Sequence, residues 1–383
     1  MEYPVRKLNE LVTFRREVAN CHKATIYDYI STENMLSDRG GVVEATNVPA
    51  KGKVKIFNKG DILISNIRPY FKKILKAKFD GYCSSDVLVL TPVSLSDEDY
   101  LYGVLSADTF FDYVTKTSKG TKMPRGDIDA IRNYSVPWPD HEMRTFIGEV
   151  YSTIDKKLDA NKLINKNLLE QLHLMVSEVY RNPSFELKPI SVIADVIDCL
   201  HSKKPYPVED GYGQLIQLGN IRDDGFLDMR NSTYFISKPD FENWTRKLII
   251  SPGDFVITNV GRVGAVAMAP AGTKAAMGRN MTAIRLKHDS QYYSYFFAVM
   301  TSKEMRREIR QRTDVGTIMN ALNVKDIPNL RIPISSEQQM RGIEKTFKSF
   351  VEQIEANNLE NQFLSAVRDS LLPKLLSGTI ELS

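Results

Sequence analysis

The sequence predicts an α+β fold of two tandem, mixed α/β modules related by pseudo-two-fold symmetry. Two long helices that form an antiparallel coiled coil separate these modules. The chain has 383 residues, which is too long for one ordinary domain. Its second half repeats its first, and each half ends in a long stretch with heptad spacing. The predicted division is a first module (1–142), a central helix (143–182), a second module (183–338) and a C-terminal helix with tail (339–383).

The internal repeat is the most informative feature. Gly-Thr-Lys-Met at 120–123 recurs as Gly-Thr-Ile-Met at 316–319, and the same offset carries Val-Pro at 136–137 onto Ile-Pro at 332–333. Upstream, with a small change of offset, Gly-Asp-Ile-Leu-Ile-Ser-Asn at residue 60 matches Gly-Asp-Phe-Val-Ile-Thr-Asn at residue 253. A duplicated chain offers two similar modules to two similar targets.

Both modules have the same order of parts. Short apolar runs predict β-strands at 61–65, 86–91 and 254–258. A short amphipathic helix is predicted near 100–113 and again near 292–310, followed by a Gly-Thr turn, a short Val-Pro or Ile-Pro strand and a long helix. The aromatic run at 292–297 has the spacing of a buried helix face, which we favour over a surface for stacking bases.

Apolar residues alternate four and three apart along both long helices, which is the spacing of a coiled-coil seam. A lone amphipathic helix of this length cannot bury its own apolar stripe, so the two are expected to pair. No helix-breaking proline interrupts either stretch before Pro183 and Pro373. The first seam comprises Ile147, Tyr151, Ile154, Leu158, Leu168, Leu172, Met175 and Val179, and the second Ile343, Phe347, Phe350, Ile354, Leu364, Leu371 and Leu375.

Asparagines interrupt both seams near their middle. Buried asparagine weakens a coiled coil but specifies its register. We therefore hypothesise that these residues meet between the helices, and that the register they specify sets the separation of the two modules. The alternative is that they face solvent at a kink. The four residues are Asn161, Asn165, Asn357 and Asn361.

Composition restricts the functional classes. Apolar residues make up 42% and charged residues 26%, as in a globular protein with sizeable cores. Neither a membrane span nor a signal peptide is expected, and the scattered Cys21, Cys83 and Cys199 fit a reducing cytoplasm rather than disulfides or a zinc site. Net charge is only +4, but residues 51–78 are rich in lysine and contain a single acid, Asp61. Such a run fits either a polyanionic partner or a solvated lysine-rich face.

Signatures of catalysis are missing from the sequence. There is no phosphate-binding Gly-x4-Gly-Lys-Ser/Thr loop and no Gly-x-Gly-x-x-Gly fingerprint. Asn-Pro-Ser-Phe at 182–185 is only a degraded form of the amino-methyltransferase motif, and the five histidines lack metal-ligand spacing. The prediction is a non-catalytic chain with no metal. A diverged nuclease or methyltransferase and a protein-only scaffold remain the alternatives.

This arrangement resembles the specificity subunit of type I restriction-modification enzymes over essentially the whole chain. The local signatures are the strands after Gly60 and Gly253, Gly-Thr-Ile-Met-Asn-Ala-Leu from residue 316, Ile-Pro-Ile-Ser-Ser-Glu-Gln-Gln from 332 and Ser-Leu-Leu-Pro-Lys-Leu-Leu-Ser-Gly-Thr-Ile from 370. The first repeat departs from the second at 124–126, where Pro-Arg-Gly replaces Asn-Ala-Leu.

The resemblance implies a cytoplasmic subunit that binds double-stranded DNA. Each module would be a target recognition domain reading one half of a bipartite site, with the helices as a spacer. Two modification subunits would methylate adenine N6 with S-adenosylmethionine, and restriction subunits would supply ATP- and Mg-dependent translocation and cleavage. No cofactor is expected in this chain itself.

Base reading needs Arg, Lys, Asn and Gln on loops or helix ends, and phosphate binding needs Lys, Arg and backbone amides. Basic or glycine-rich loops supply these in both modules. In the first module the DNA-binding candidates are Lys51, Lys53, Arg68, Lys72, Lys73, Lys119, Thr121, Lys122 and Arg125. In the second module they are Asn220, Arg222, Asn259, Arg262, Arg279, Asn280 and Asn320.

Overall fold

The computed structural model describes residues 3–230, 234–287, 292–314 and 320–380. The chain forms two compact units: the first combines Met1–Asp159 with Asn361–Ser383, and the second is Ala160–Glu360. Each unit therefore contains a globular part and a portion of both long helices. The predicted module boundaries remain a prediction. Among the described helices, none is long and apolar enough to cross a membrane.

The globular part of the first unit is built on a four-stranded antiparallel sheet of order β2-β9-β6-β7. A second sheet has the order β3-β5-β8-β4, with β4 and β8 parallel, and β1 pairs with β10. The elements are β1 (Val5–Lys7), α1 (Leu8–Leu11), β2 (Val12–Phe14), β3 (Val18–Asn20), β4 (Tyr29–Ile30), β5 (Lys53–Phe57), β6 (Ile62–Ser65), β7 (Ile74–Lys76), β8 (Gly81–Cys83), β9 (Val87–Pro92), α2 (Glu98–Ser106), α3 (Asp108–Thr117), α4 (Ile128–Arg132), β10 (Ser135–Pro137) and the long α5 (His141–Arg181).

The globular part of the second unit repeats this plan with a sheet of order β12-β18-β15-β16. A smaller sheet has the order β14-β13-β17, and β11 pairs with β21. The elements are β11 (Glu186–Pro189), β12 (Ala194–Asp198), β13 (Gly213–Ile216), β14 (Phe235–Ile236), α6 (Lys238–Trp244), β15 (Phe255–Thr258), β16 (Val266–Met268), β17 (Ala275–Met277), β18 (Met281–Leu286), α7 (Tyr293–Thr301), α8 (Lys303–Gln311), β19 (Thr313–Asp314), β20 (Ala321–Leu322), β21 (Arg331–Ile334) and the long α9 (Glu337–Leu376).

The central strands are continuously apolar because both faces of each sheet are covered. In β6, Ile62 and Ile64 belong to one apolar cluster and Leu63 to another. In β15, Phe255 and Ile257 likewise face one cluster while Val256 faces a second. Strand alternation thus directs neighbouring residues into two different cores in both units, and the predicted strands at 61–65, 86–91 and 254–258 are confirmed.

The single helices predicted near 100–113 and 292–310 are wrong in detail, because each is two helices. Ala107 separates α2 from α3 and Ser302 separates α7 from α8, both with extended backbone angles. The Ser302 side chain accepts a hydrogen bond from the amide of Met305, which begins a new helix at that point. The aromatic run is buried as predicted at Tyr295, Phe296 and Phe297, which are fully inaccessible, whereas Tyr293 is 42% exposed.

The two long helices pair in antiparallel orientation. In the first unit, Ile147 and Tyr151 of α5 belong to the same apolar cluster as Leu372 and Leu375 near the end of α9. In the second unit, late residues of α5 such as Leu172 share a cluster with early residues of α9, including Phe347 and Ile354. The seam also packs against the globular core of its own unit. Helix α9 continues through Pro373 to Leu376, so the proline does not end the helix as predicted. It lies in the last turn, where it removes the one hydrogen bond that an amide at this position would donate to the carbonyl of Asp369.

Candidate nucleic-acid interface

Two loops meet at one end of the main sheet of the first unit, and we call residues 66–73 and 118–126 the first loop pair. Ile67 forms an isolated β-bridge with Arg125. The amide of Arg68 donates to the carbonyl of Pro124 at 2.8 Å, and the amide of Gly126 donates to that of Asn66 at 3.1 Å. The structure thus joins candidates from two distant parts of the sequence.

Two cations in the second of these loops are exposed and held by nearby acids. Arg125 contacts Asp86 at 2.9 Å, and Lys119 contacts Asp127 at 2.5 Å. The hydrogen bond that Lys119 donates to the Asp127 carboxylate raises the pKa of Lys119. These carboxylates orient the side chains and leave them accessible to solvent. Two further candidates, Thr121 and Lys122, are also exposed at the loop tip.

The backbone beside Arg68 is strained. Arg68 and Lys72 both have φ of 50°, and the facing Asp38 and Arg39 have φ of 52° and 60°. These two segments are joined by backbone hydrogen bonds from Asp38 to Phe71 and from Arg39 to Lys72. Left-handed non-glycine residues cost energy and concentrate at functional sites. The strained segments therefore support a binding role for this loop.

Buried polar atoms accompany the strain. The Nε of Arg68 and the Oδ1 of Asn66 have no hydrogen-bond partner among the described residues. Asn66 was not selected from the sequence, although its place at the end of a predicted strand, beside Arg68, was a usable signal. Two other candidates are partly engaged: Lys72 contacts Asp108 at 2.7 Å, and Lys73 donates to the carbonyl of Thr32 at 2.6 Å. Burial lowers the pKa of Lys73.

Lys51 and Lys53 occupy a different part of the first unit. Lys53 begins β5, where it pairs with Asn20 in the second sheet, and both lysines are exposed. The basic run at 51–78 is therefore not a single surface strip. Lys55, from the same run, extends under the sheet and donates to the carbonyls of Ser85 and Val87.

The second unit has an equivalent arrangement, and we call residues 259–265 and 320–322 the second loop pair. Val260 forms an isolated bridge with Ala321, as Ile67 does with Arg125. The amide of Leu322 donates to the carbonyl of Asn259 at 2.9 Å. The Gly-Thr-Ile-Met motif at 316–319, which helped to identify the repeat, lies outside the described residues. The duplicated loop geometry is the structural counterpart of the sequence repeat.

Arg262 is the central cation of the second loop pair. It contacts Asp223 at 2.5 Å and donates to the carbonyl of Ile221 at 3.0 Å. Arg222 contacts Asp224 at 2.9 Å, and burial raises the pKa of Asp224. The remaining exposed candidates of this unit are Arg279, Asn280 and Asn320.

The side chains of two candidates are buried and already hydrogen-bonded within the chain. Asn220 is 7% exposed. Its side chain accepts a hydrogen bond from the backbone amide of Gln217 and donates one to the carbonyl of Asp228. Asn259 is equally buried, donates to the carbonyl of Leu322 and accepts from Thr282. Their side chains stabilise the loops that carry Arg222 and Arg262, which corrects the sequence-based selection. For Asn259 the sequence could not show this because its partners lie far along the chain, whereas the partners of Asn220 are local.

Three of the four helix asparagines are buried. Asn357 donates to Asn165 at 2.7 Å across the helix pair, and Asn165 donates to Asn358 at 3.0 Å. Asn161 donates to Glu360 at 2.7 Å. These contacts exclude the solvent-facing alternative for Asn161, Asn165 and Asn357, while their effect on register remains a prediction. Asn361 is half-buried and belongs to the first unit.

One cluster of metal-ligand type occurs among the described residues: Asp198, Cys199 and His201, which the sequence spacing did not suggest. The side chains of Asp198 and His201 already contact each other at 2.7 Å, and the Lys247 ammonium donates hydrogen bonds to the backbone carbonyls of Asp198 and Cys199. Burial raises the pKa of Cys199, which favours the protonated thiol over the thiolate that metals bind. The cluster therefore fits a hydrogen-bonded pair of Asp198 and His201 better than a metal site.

The known proteins that this chain is similar to belong to one family. The profile of the type I restriction modification DNA specificity domain matches residues 2–171 and again 194–364. The chain is 21% identical over 375 residues to the type I restriction enzyme MjaVIII specificity subunit of Methanocaldococcus jannaschii, covering 92% of this chain and 86% of that protein. It is 22% identical over 436 residues to the HindI specificity subunit of Haemophilus influenzae, covering 92% and 94%.

The fold also matches a solved structure. The S subunit of the type I restriction-modification system from M. genitalium aligns with a TM-score of 0.55 and 14% identity, covering 100% of this chain and 97% of that one. These similarities do not favour the two alternative functions considered from the sequence, a diverged nuclease or methyltransferase and a protein-only scaffold. The two profile matches fall on the two halves of the internal repeat, and the chain belongs to the type I restriction-modification DNA specificity family.

Proposed function

We propose that this chain reads a bipartite double-stranded DNA site, with one loop pair contacting each half. The duplicated junction of two loops carries this proposal. The bridge between Ile67 and Arg125 in the first unit recurs between Val260 and Ala321 in the second, each at the end of a main-sheet strand. Two copies of one binding geometry suit two half-sites.

The side chains at the two junctions differ although the backbones correspond. Arg125 occupies the position that Ala321 holds in the repeat. Asp86 likewise corresponds to Asn280, because the amide of Asn66 donates to the carbonyl of Asp86 and the amide of Asn259 donates to the carbonyl of Asn280, both at 2.8 Å. Arginine reads guanine and asparagine reads adenine in the major groove. Equivalent backbones with different side chains would therefore recognise different bases in the two half-sites.

Catalysis is assigned to partners. We propose that two modification subunits use S-adenosylmethionine to methylate adenine in the site that this chain selects, and that restriction subunits add ATP- and Mg-dependent activities. The support is family membership and the names of the relatives, which are specificity subunits of restriction enzymes. The antiparallel helices would set the gap between the two half-sites.

Mapping methylated adenines in the host genome, with and without the gene for this chain, tests the proposal. We expect a split motif of two short specified segments with a fixed gap, lost on deletion. Matched duplexes containing that motif would then bind the chain with its modification subunits in a strongly salt-dependent manner. No gene-dependent methylation together with no salt-dependent DNA binding would contradict the proposal.

A further inference from the structure

An open groove of 450 Å³ adjoins the second loop pair, between that loop pair and α8. Four arginines line it: Arg222, Arg262, Arg306 and Arg310. Gly264 allows the loop to lie directly on α8, because a Cβ there would be 2.6 Å from Ile309. We call this feature the arginine groove.

The four arginines are not equivalent. Arg222 and Arg262 have carboxylate partners in Asp224 and Asp223. Arg306 and Arg310 lie one turn apart on α8 and are exposed, and within the described ranges no carboxylate forms an ion pair with either. Glu308, which lies between them in sequence, is instead paired with Arg312 and Arg331. The groove therefore carries two cationic groups that no carboxylate of the described residues neutralises through an ion pair.

The corresponding surface of the first unit is filled and neutralised. There the segment Pro69–Phe71 packs on α3, the helix equivalent to α8. Asp108 at the start of α3 binds both Arg39 and Lys72, with Lys72 at 2.7 Å. Helix α8 begins with Lys303 at that position, which inverts the charge. The arginine groove thus belongs to the second unit only.

We propose that Arg306 and Arg310 bind the phosphodiester backbone of duplex DNA beside the half-site read by the second unit. This rests on the proposed function and adds a contact that the first unit lacks. Arginine is the favoured side chain for phosphate oxygens, which it binds through its planar donors. A phosphodiester fits better than an acidic peptide because the groove is continuous with Arg262 of the second loop pair. Such contacts add affinity without base preference.

A salt titration tests this in the full chain assembled with its modification subunits, on a duplex that carries the mapped site. Arg306→Gln with Arg310→Gln removes both charges, and Arg307→Gln is the matched control, since Arg307 is exposed on the same helix but does not line the groove. Each phosphate contact contributes about −0.9 to the slope of log K against log salt. We expect the double variant to reduce the magnitude of this slope by about 2, and the control to leave it unchanged.

The expected loss is equal for the intact site and for a site altered in either half, because a phosphate contact does not read bases. In the wild-type complex, methylphosphonate replacement should identify two phosphates beside one half-site whose neutralisation weakens binding and has no effect in the double variant. The wild-type arm of this measurement, which locates the two phosphates beside one half-site, does not depend on how well the variant folds.

Three results would overturn the inference. One is an unchanged slope in the double variant while the wild type binds DNA normally, which would leave the proposed function intact. Another is an equal loss in Arg307→Gln, which would indicate general charge only. The third is weakened assembly with the modification subunits at an unchanged slope, which would identify an acidic protein surface as the occupant. A wild-type complex that bound no DNA would instead refute the proposed function.

Discussion

Individual residues show where sequence information ends. Arg125 and Lys119 could be selected because a basic glycine-rich loop predicts exposure, and both side chains are exposed. Asn220 and Asn259 are also polar loop residues, but both are buried, and the side chain of Asn259 donates to the distant carbonyl of Leu322. The local sequence pattern predicts that loop residues are exposed. Whether a given loop side chain is buried depends on which other segment of the chain packs against it.

Arg125→Ala and Arg262→Ala should each weaken binding at one half-site only. Each arginine belongs to a different loop pair, and a good base contact contributes about 1–3 kcal/mol of discrimination. Competition binding with duplexes altered in one half at a time measures this effect. Arg6→Ala is the control, since Arg6 pairs with Glu10 away from the loop pair. An equal loss on all duplexes would instead assign that arginine to phosphate.

His173 should make the second unit less stable in acid. Burial, together with the cations Arg306 and Lys303 of α8, lowers the pKa of His173 from 6.5 to about 4, against the opposing effect of Glu304 and Glu170. Its neutral ring contacts Thr301 at 3.1 Å. Because the unfolded chain takes up the proton first, the stabilisation is complete above pH 6.5 and is lost as pH falls towards 4.

The free energy of unfolding should fall by on the order of 1–3 kcal/mol through this residue between pH 7 and pH 4. Urea unfolding of the wild type and of His173→Gln at several pH values measures that contribution as a difference between the two curves. His141→Gln, at an exposed position at the start of α5, is the control. Parallel curves for the wild type and His173→Gln would refute this explanation.

At the scale of elements, periodicity predicted both long helices closely because a heptad stripe is a local and regular signal. The observed helices are His141–Arg181 and Glu337–Leu376. The breaks at Ala107 and Ser302 were missed because neither residue is a strong helix breaker. Tertiary packing places two short helices there, each burying an apolar face. A neighbouring segment covers the surface beside α3, whereas the equivalent surface beside α8 is an open groove. No local sequence pattern distinguishes the covered surface from the open one.

Asn357→Ala should destabilise the second unit by about 1–3 kcal/mol, because it removes the hydrogen bond that Asn357 donates to the side-chain oxygen of Asn165 in a buried seam. Replacing both Asn165 and Asn357 by Leu should restore or increase the free energy of unfolding, since two apolar residues then fill the seam. The same double variant should lose its single helix register. Denaturant unfolding measures the first two effects, and site-specific cross-linking between α5 and α9 measures the third.

An unaltered single register in the double leucine variant would show that the asparagines do not specify it. A matched substitution is Leu359→Ala, an exposed position on α9 close in sequence to Asn357. We expect it to change neither the free energy of unfolding nor the register measurably. A comparable loss in this control would mean that helix propensity, rather than the buried amide pair, caused the destabilisation.

At the scale of the whole molecule, the repeat was the decisive signal. It predicted two similar folds, and the main sheets of the two units indeed have matching strand orders. It could not predict where the second sheets differ: both contain a parallel pair, β4 with β8 and β13 with β17, but their strand orders among the described residues are β3-β5-β8-β4 and β14-β13-β17. Regions that differ between the repeats are those in which target preference would reside.

The most direct test exchanges residues 183–338 for the corresponding segment of a relative and maps methylated adenines in a host that carries the chimera. If each unit reads one half-site, the mapped motif should change in one half and retain the other half and the gap. A motif changed in both halves, or changed in neither while methylation persists, would contradict the claim that the two repeats read DNA separately.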